Sequence, residues 1–270
     1  MVTGVKALIC MLKNKKHLGQ HWLRDRFILN HIADCADINK NDTIVEIGPG
    51  LGTLTSILLS RAKEVISIEF DADLARKLPG QFPGKDLTVI NQDILEFDTD
   101  NLPKGYKLVA NLPYYITAKV IHKFTTSKNK TSKMVLLVQK EVAERVVAQP
   151  GRMSLLSVSS QLYANVSLGD VVPACYFTPP PKVDSQVLIF DMIDPKLPSD
   201  ISEKELFRIV KAGFSSRRKK LRSSLSGGLN INKNSVETLL MQTGISPDHR
   251  AEDLSVEDWK AIAKNFYNCK

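Results

Sequence analysis

Three successive apolar runs of the sequence each end in residues suited to holding a nucleoside-like ligand. The first leads into the turn Gly48-Pro49-Gly50-Leu51-Gly52, and glycines at such a turn let a ligand approach the backbone closely. The second ends at Glu69, 19 residues after Gly50, where a carboxylate can accept hydrogen bonds from both hydroxyls of a ribose. Asp93 follows the third run and is placed to accept from an adenine amino group. No Gly-Lys-Ser/Thr follows the glycines, which makes a mononucleotide P-loop a poor match.

Taken together, these elements resemble the cofactor site of the class I methyltransferases, in which the corresponding positions hold S-adenosylmethionine. A nicotinamide dinucleotide remains an alternative on these residues alone.

A fourth run ends in Asn111-Leu112-Pro113-Tyr114, which carries hydrogen-bond acceptors and an aromatic ring. An exocyclic adenine nitrogen is a poor nucleophile because its lone pair is delocalised into the ring. The side-chain oxygen of Asn111 and the backbone carbonyl of Leu112 can accept its two hydrogens, while Pro113 fixes the turn. Tyr114 can stack on the base, a contact worth about 1–3 kcal/mol. The tetrapeptide resembles the Asn/Asp-Pro-Pro-Tyr signature of amino-group methyltransferases and predicts methyl transfer by alignment and electrostatics, without a metal.

These residues need a sheet that brings the ends of several strands together. The predicted strands are Thr43–Ile47, Val65–Glu69, Leu87–Asn91, Lys107–Ala110, Met134–Val138, Val166–Pro173 and Val187–Met192. The predicted helices are Thr53–Arg61, Ala72–Leu78, Ala118–Phe124, Ala143–Ala148 and Met153–Tyr163. Continuous Val/Ile/Leu strands that alternate with helices predict an α/β fold, with a mostly parallel sheet covered by helices on both faces.

A change of character marks a boundary near residue 195. Two prolines interrupt the run Asp194–Pro198, and beyond it the β signals vanish. Ser202 and Glu205 form a capping-box pattern ahead of a helix. We therefore expect a cofactor-binding catalytic domain over residues 1–195 and a small all-α, RNA-binding domain over residues 196–270.

Composition narrows the class of protein without deciding it. The 270 residues carry a net charge of +8 with a pI near 9.2, which favours a polyanionic partner, although many basic proteins bind no nucleic acid. The four cysteines, Cys10, Cys35, Cys175 and Cys269, lie far apart, which argues against a zinc site and fits a reducing cytoplasm. No apolar run approaches the roughly 20 residues of a membrane span, and the short run in Met1–Leu12 is a poor secretory signal. Met11 is an alternative start.

Four further segments resemble the KsgA/RsmA family of ribosomal RNA adenine dimethyltransferases, a likeness that runs from about Lys15 to Lys264. They are Lys15–Leu23 (an entry segment), Gln139–Arg145 (a helix after the fifth strand), Phe177–Ser185 (a target-base loop) and Phe214–Leu225 (a basic C-terminal helix).

The resemblance implies roles position by position. The cofactor-contacting positions are His21, Leu23, Gly48, Gly50, Glu69, Asp93 and Asn111. Phe177 matches the aromatic residue that packs against a flipped target adenine opposite Tyr114. Two departures stand out, because His21-Trp22 replaces the usual Asn-Phe and Tyr115 stands where an asparagine is common.

A cluster of cations lies in the last of these segments. Its members are Arg217, Arg218, Lys219, Lys220 and Arg222. On helical spacing, Phe214, Leu221 and Leu225 share one face. Lys219, Lys220 and Arg222 point away from that face, which in so basic a chain predicts phosphate contacts. A merely solvated face is the alternative.

The predicted function is S-adenosylmethionine-dependent dimethylation of adenine amino groups in small-subunit ribosomal RNA during ribosome assembly. We expect a cytoplasmic monomer that acts on the RNA or on the assembling subunit. The alternatives are a resistance-type methyltransferase acting on large-subunit ribosomal RNA, a non-catalytic RNA-binding assembly or transcription factor, and an NAD-dependent oxidoreductase.

Overall fold

A computed structural model describes residues 20–268. Predictions that fall on Met1–Gly19, including Cys10, the Met11 start and most of the entry segment, and on Cys269 lie outside the described residues. The strands are β1 (Trp22–Leu23), β2 (Thr43–Ile47), β3 (Glu64–Glu69), β4 (Leu87–Asn91), β5 (Lys107–Asn111), β6 (Lys133–Gln139), β7 (Ala164–Val172), β8 (Phe177–Thr178) and β9 (Ser185–Met192). The helices are α1 (Arg26–Cys35), α2 (Thr53–Arg61), α3 (Ala72–Lys77), α4 (Thr117–Thr125), α5 (Lys140–Val146), α6 (Leu155–Gln161), α7 (Glu203–Phe214), α8 (Leu221–Leu229), α9 (Lys233–Gln242) and α10 (Val256–Asn268).

Seven strands form one sheet in the order β4-β3-β2-β5-β6-β9-β7. The five from β4 to β6 are parallel, and β9 and β7 add to the β6 side as antiparallel strands. The prediction of a mostly parallel sheet is confirmed, and each of the seven predicted strands is present. The carboxyl ends of β2, β3, β4 and β5 meet at one edge, as parallel pairing requires.

Helices cover both faces of this sheet, and β6 shows why its sequence is apolar at consecutive positions. Met134, Leu136 and Val138 belong to the core that α4 and α5 share, whereas Val135 and Leu137 belong to the core that α1 and α2 share. Successive side chains of a strand point to opposite faces, so a strand buried on both sides has no polar alternation.

After β9 the structure described up to residue 268 is helical. The Ser202–Glu205 capping box is present at the start of α7, as predicted. Helices α7 to α10 pack around Trp259, which is fully buried. Their core also includes residues of the 153–163 segment, among them Val158 and Tyr163. The helical part therefore shares an apolar core with the part that carries the sheet, and the division at residue 195 stays a prediction.

The basic segment is not one helix, so that prediction is wrong. Helix α7 ends at Phe214, a turn follows, and α8 begins at Leu221. The hydroxyl of Ser215 donates to the carbonyl of Ala212 at 2.7 Å, and the N–H of Leu221 donates to the carbonyl of His249 at 2.6 Å. Serine competes for backbone groups at helix ends, and consecutive like charges disfavour a continuous helix.

None of the helices between residues 20 and 268 has the length and apolarity to cross a bilayer.

Candidate active site

A cavity opens at the carboxyl edge of the parallel strands. Ten of the predicted site residues line it: His21, Leu23, Gly48, Gly50, Glu69, Asp93, Asn111, Leu112, Pro113 and Tyr114. The wall contains three carboxylates and, among residues 20–268, no lysine or arginine. Its electrostatic character is therefore negative, although the chain as a whole is basic.

The glycine turn leaves open space beside its backbone. Gly48 and Gly50 have φ angles of +65° and +55°, a region that side chains rarely adopt. A Cβ on Gly48 would meet no atom within 4 Å. A ligand can therefore reach the backbone of Gly48 without displacing protein atoms.

Glu69 connects the glycine turn to the end of β3. Its two carboxylate oxygens accept from the N–H groups of Gly50 (3.1 Å) and Asp71 (2.8 Å). The side chain is 6% exposed, and burial raises its pKa although these N–H groups oppose the rise. Each oxygen keeps a lone pair, so the carboxylate is oriented and can still accept from ligand hydroxyls.

Glu46 is a site residue that the sequence analysis missed. It lines the cavity from β2, is 1% exposed, and accepts from the hydroxyls of Thr55 (2.7 Å) and Ser67 (2.9 Å). Burial raises its pKa to about 7, against the opposing effect of these two hydrogen bonds. A glutamate inside an otherwise apolar buried strand was the available signal, because buried charges are costly and seldom structural.

Asp93 and Phe70 form the part of the wall nearest β4. One oxygen of Asp93 accepts from the N–H of Leu95 at 2.8 Å, which fixes the carboxylate at the start of a turn. Phe70 follows Glu69 directly, lines the cavity and is 58% exposed. An aromatic ring exposed in a cavity wall offers a flat apolar surface, and the sequence analysis did not single it out.

The Asn111-Leu112-Pro113-Tyr114 motif presents two unused acceptors. The amide nitrogen of Asn111 donates to the carbonyl of His21 at 3.3 Å; since a carbonyl only accepts, this contact assigns the amide orientation and leaves Oδ1 as the other polar atom. The N–H of Leu112 donates to the carbonyl of Leu137 (3.2 Å), while its own carbonyl accepts from no residue that the structure describes.

Tyr114 is held at both ends of its side chain. Its hydroxyl shares a hydrogen bond with Ser185 (2.8 Å), and its ring stacks on the imidazole of His21, with centroids 5.7 Å apart and planes 23° apart. His21 in turn donates from Nδ1 to the carbonyl of Pro179 at 2.7 Å. One face of the tyrosine ring is thus covered by the imidazole of His21.

Phe177 is not brought to this cavity. Its side chain is 3% exposed, packs in the core with Leu23 and Leu29, and is absent from the cavity wall. The reason is a short antiparallel ribbon in which Leu23 of β1 pairs with Phe177 of β8. The ribbon was not predicted, since two-residue strands carry no periodicity. The expected aromatic face opposite Tyr114 is therefore not formed in this structure.

The five predicted RNA-binding cations divide into two groups. Arg217, Arg218 and Lys219 lie exposed on the turn between α7 and α8, with no ion pair to any residue described. Lys220 pairs with Asp248 (3.0 Å), and Arg222 pairs with Glu237 (3.0 Å). The nearby Lys220 ammonium lowers the pKa of the exposed Asp248 carboxyl. Three of the five cations thus have no ion-pair partner between residues 20 and 268.

Comparison with known proteins adds a family to this geometry. Residues 11–268 match the family described as "Ribosomal RNA adenine dimethylase". A protein of Dehalococcoides mccartyi named "Ribosomal RNA small subunit methyltransferase A" is 44% identical over 261 residues, which cover 94% of this chain and 89% of that protein. A Clostridium botulinum protein of the same name is 41% identical, with 95% of each chain covered.

Two solved structures have a similar fold over nearly the whole chain. A dimethyladenosine transferase from Plasmodium falciparum superposes with a TM-score of 0.80 at 27% identity, over 92% of this chain and 98% of that one. The 23S rRNA methyltransferase ErmE superposes with a TM-score of 0.73 at 26% identity, over 90% and 98% of the two chains.

Proposed function

The chain belongs to the ribosomal RNA adenine dimethylase family, and from this premise we propose that it transfers methyl groups from S-adenosylmethionine to adenine exocyclic amines of small-subunit ribosomal RNA. The observation that carries the proposal is the pairing of a carboxylate-lined cavity with two free carbonyl acceptors at the tip of β5. The chain is then an enzyme, and dimethylation is the expected end product.

The charge of the cavity selects between the two cofactors that the sequence left open. Glu46, Glu69 and Asp93 line it without a lysine or arginine among the described residues. S-adenosylmethionine carries a sulfonium and an ammonium, which three carboxylates attract, whereas a dinucleotide brings a diphosphate, which they repel. The residues present therefore fit S-adenosylmethionine, and an NAD-dependent oxidoreductase is disfavoured.

Each wall residue has a distinct part in holding that cofactor. Glu69 accepts from the ribose hydroxyls, Asp93 accepts from the adenine amine, and Phe70 packs against the adenine ring. The open space at Gly48 admits the ligand to the backbone. When bound, S-adenosylmethionine supplies an activated methyl group on a sulfonium sulfur.

The motif at the end of β5 prepares the target amine. Oδ1 of Asn111 and the carbonyl of Leu112 accept the two amine hydrogens, which favours a pyramidal nitrogen and localises its lone pair. His21 orients Asn111 through its backbone carbonyl and covers one face of Tyr114. The base stacks on the opposite face of Tyr114, and Pro113 keeps the acceptors at the edge of the cavity.

We further propose that the turn between α7 and α8 contacts RNA phosphates through Arg217, Arg218 and Lys219. Exposed cations without internal partners lose no ion pair when they meet a phosphate. Lys220 and Arg222 are already paired and contribute less.

The test is methyl transfer to ribosomal subunits taken from cells that lack this gene. The purified protein is incubated with S-adenosylmethionine and either small or large subunits, and the RNA nucleosides are identified by mass spectrometry. We expect N6,N6-dimethyladenosine in the small subunit only. Asn111→Ala should lower the rate about 10²–10³-fold, because a positioned acceptor is lost. Asn101→Ala, at an exposed turn away from the cavity, is the matched control.

Other results would point to the alternatives. Methylation of large subunits only would favour the activity named for ErmE, and RNA binding without transfer would favour a scaffold. An Asn111→Ala protein with full activity would overturn the proposed role of the motif.

A further inference from the structure

Trp22 carries a hydrogen-bond donor that no described residue satisfies. Its indole lines the cavity, and its Cδ1 and Nε1 atoms each lie 3.6 Å from the place that a Cβ on Gly50 would occupy. The Nε1 atom is buried and has no hydrogen-bond partner among residues 20–268. Leaving a buried N–H unpaired costs about 1–3 kcal/mol, so such groups in native proteins generally meet protein, water or ligand.

Trp22 differs from the other residues whose buried side-chain atoms lack a partner. Those residues, within the described part of the chain, are Thr117, Asn129, Ser160, Gln186 and Trp259, and none of them lines the cavity. The second indole, of Trp259, packs against Gly213 in the helical core. Trp22 is thus the one residue of these six, within the described part of the chain, that lines the cavity.

Two side-chain donors of the cavity wall, those of Thr53 and His21, already have partners. The hydroxyl of Thr53 donates to the carbonyl of Leu23 at 2.9 Å, and Nδ1 of His21 donates to Pro179. The proposed cofactor has one anionic group, its carboxylate, and the described wall offers that group no lysine or arginine. A neutral N–H in a dry wall is a suitable partner for a carboxylate oxygen.

We infer that Trp22 is a specificity-determining residue whose Nε1–H donates to the carboxylate of S-adenosylmethionine. The inference rests on the proposed function, because it requires that cofactor in this cavity. In the resembled family a phenylalanine is usual at this position, and phenylalanine has no side-chain donor. In this proposal Trp22 binds the amino-acid end of the cofactor, whereas Glu69 and Asp93 bind the nucleoside.

The experiment is isothermal titration calorimetry of the full chain and of Trp22→Phe with two ligands. These are S-adenosylmethionine and its decarboxylated analogue, which differ by the carboxylate alone. We expect Trp22→Phe to bind S-adenosylmethionine about tenfold more weakly, since a hydrogen bond to a charged group is lost. Its affinity for the decarboxylated analogue should equal that of the unaltered chain.

An independent readout comes from fluorescence in a Trp259→Phe background, where Trp22 is the remaining tryptophan. Its emission should shift when S-adenosylmethionine is added, and thermal unfolding of each variant shows that it is folded. Equal losses for both ligands, or no loss, would overturn the role of Trp22 while leaving the proposed function intact. Failure of the unaltered chain to bind S-adenosylmethionine would instead overturn the proposed function, and this inference with it.

Discussion

Glu46 is a buried carboxyl group whose pKa is raised to near neutral pH. Burial holds its pKa at about 7, and it lies in the wall of a cavity proposed to receive a cation. A bound cation favours the ionised carboxylate, so the affinity for a cationic ligand should rise as the pH passes through 7.

We therefore predict that Glu46→Gln weakens binding of S-adenosylmethionine more at pH 8 than at pH 6. The ratio of the two affinities should grow on the order of tenfold, from a Coulomb attraction of about 1.5–2 kcal/mol at an effective dielectric constant near 20. Calorimetric titration of both proteins across this range measures it. The ligand's own amine titrates equally with both proteins and cancels in the ratio; a ratio that is constant with pH would contradict the prediction.

The same residue makes a prediction about stability with the opposite dependence on pH. The folded state holds the proton of Glu46 more tightly than the unfolded state, whose pKa is near 4.5. Its contribution to stability is complete below about pH 4.5, is lost as the pH rises to about 7, and is constant above that. Glu46→Gln should thus gain in melting temperature relative to the unaltered protein between pH 5 and pH 7. If the melting temperatures of the two proteins change with pH in the same way, the raised pKa of Glu46 would be contradicted.

Gly48 offers a second prediction for a single residue, because its missing side chain leaves room for a ligand. Gly48 and Gly105 have similar φ angles, +65° and +72°, and a Cβ at either position would meet no atom within 4 Å. Each alanine variant should lose about 1–2 kcal/mol of stability from the left-handed backbone. Only Gly48→Ala should also lose cofactor affinity, by tenfold or more, because its methyl group would occupy the space proposed for the ligand. Equal affinities in the two variants would place the ligand elsewhere.

At the scale of elements, the strands were predictable and the short connections were not. The strand β6 is apolar at consecutive positions because both faces of the sheet are covered, and that pattern is visible in the sequence. The β1–β8 ribbon depends on a contact between residues about 155 positions apart, as in the pairing of Leu23 with Phe177, and no local pattern indicates it. This pairing places the side chain of Phe177 in the core and not in the cavity wall. The positions of Asn111 and Tyr114 followed from strand ends alone.

The sequence indicated phosphate contacts for the segment between α7 and α8 from its cluster of cations, but it did not indicate that the segment is a turn. We predict that replacing Arg217, Arg218 and Lys219 by glutamine weakens RNA binding and lowers the slope of log affinity against log salt by about 2, at about 0.7 per lost phosphate contact with single-stranded RNA. Binding to a ribosomal RNA fragment at several salt concentrations measures it.

A matched triple variant removes the same charge from the edge of the sheet at which the parallel strands begin. Lys63, Lys85 and Lys104 are exposed and precede the amino ends of β3, β4 and β5. Their replacement by glutamine should leave the slope nearly unchanged. If both triple variants lose equal affinity, net charge rather than the turn governs the interaction.

For the whole molecule, the decisive feature is that the apolar core of the helical part includes side chains from the part that carries the sheet. Tyr163, the residue before β7, is 1% exposed and donates from its hydroxyl to Glu203 of α7 at 2.8 Å. The N–H groups of Gly151 and Met153 donate to the carbonyl of Glu252. Two parts joined through buried side chains and backbone hydrogen bonds should unfold together, even though their sequences look like separate domains.

We predict a single calorimetric transition that responds to changes in either part. Leu240 is fully buried in the helical core, and Leu240→Ala should cost about 2–5 kcal/mol, which lowers the melting temperature by roughly 4–10 °C. Its neighbour Met241 is 67% exposed, so Met241→Ala should have little effect and serves as the control. A ligand of the distant cavity, at 100 times its Kd, contributes about 2.7 kcal/mol and should raise the same transition in all three proteins. Two transitions, of which Leu240→Ala moves one and the ligand the other, would mean that the parts unfold independently and that residue 195 marks a true domain boundary.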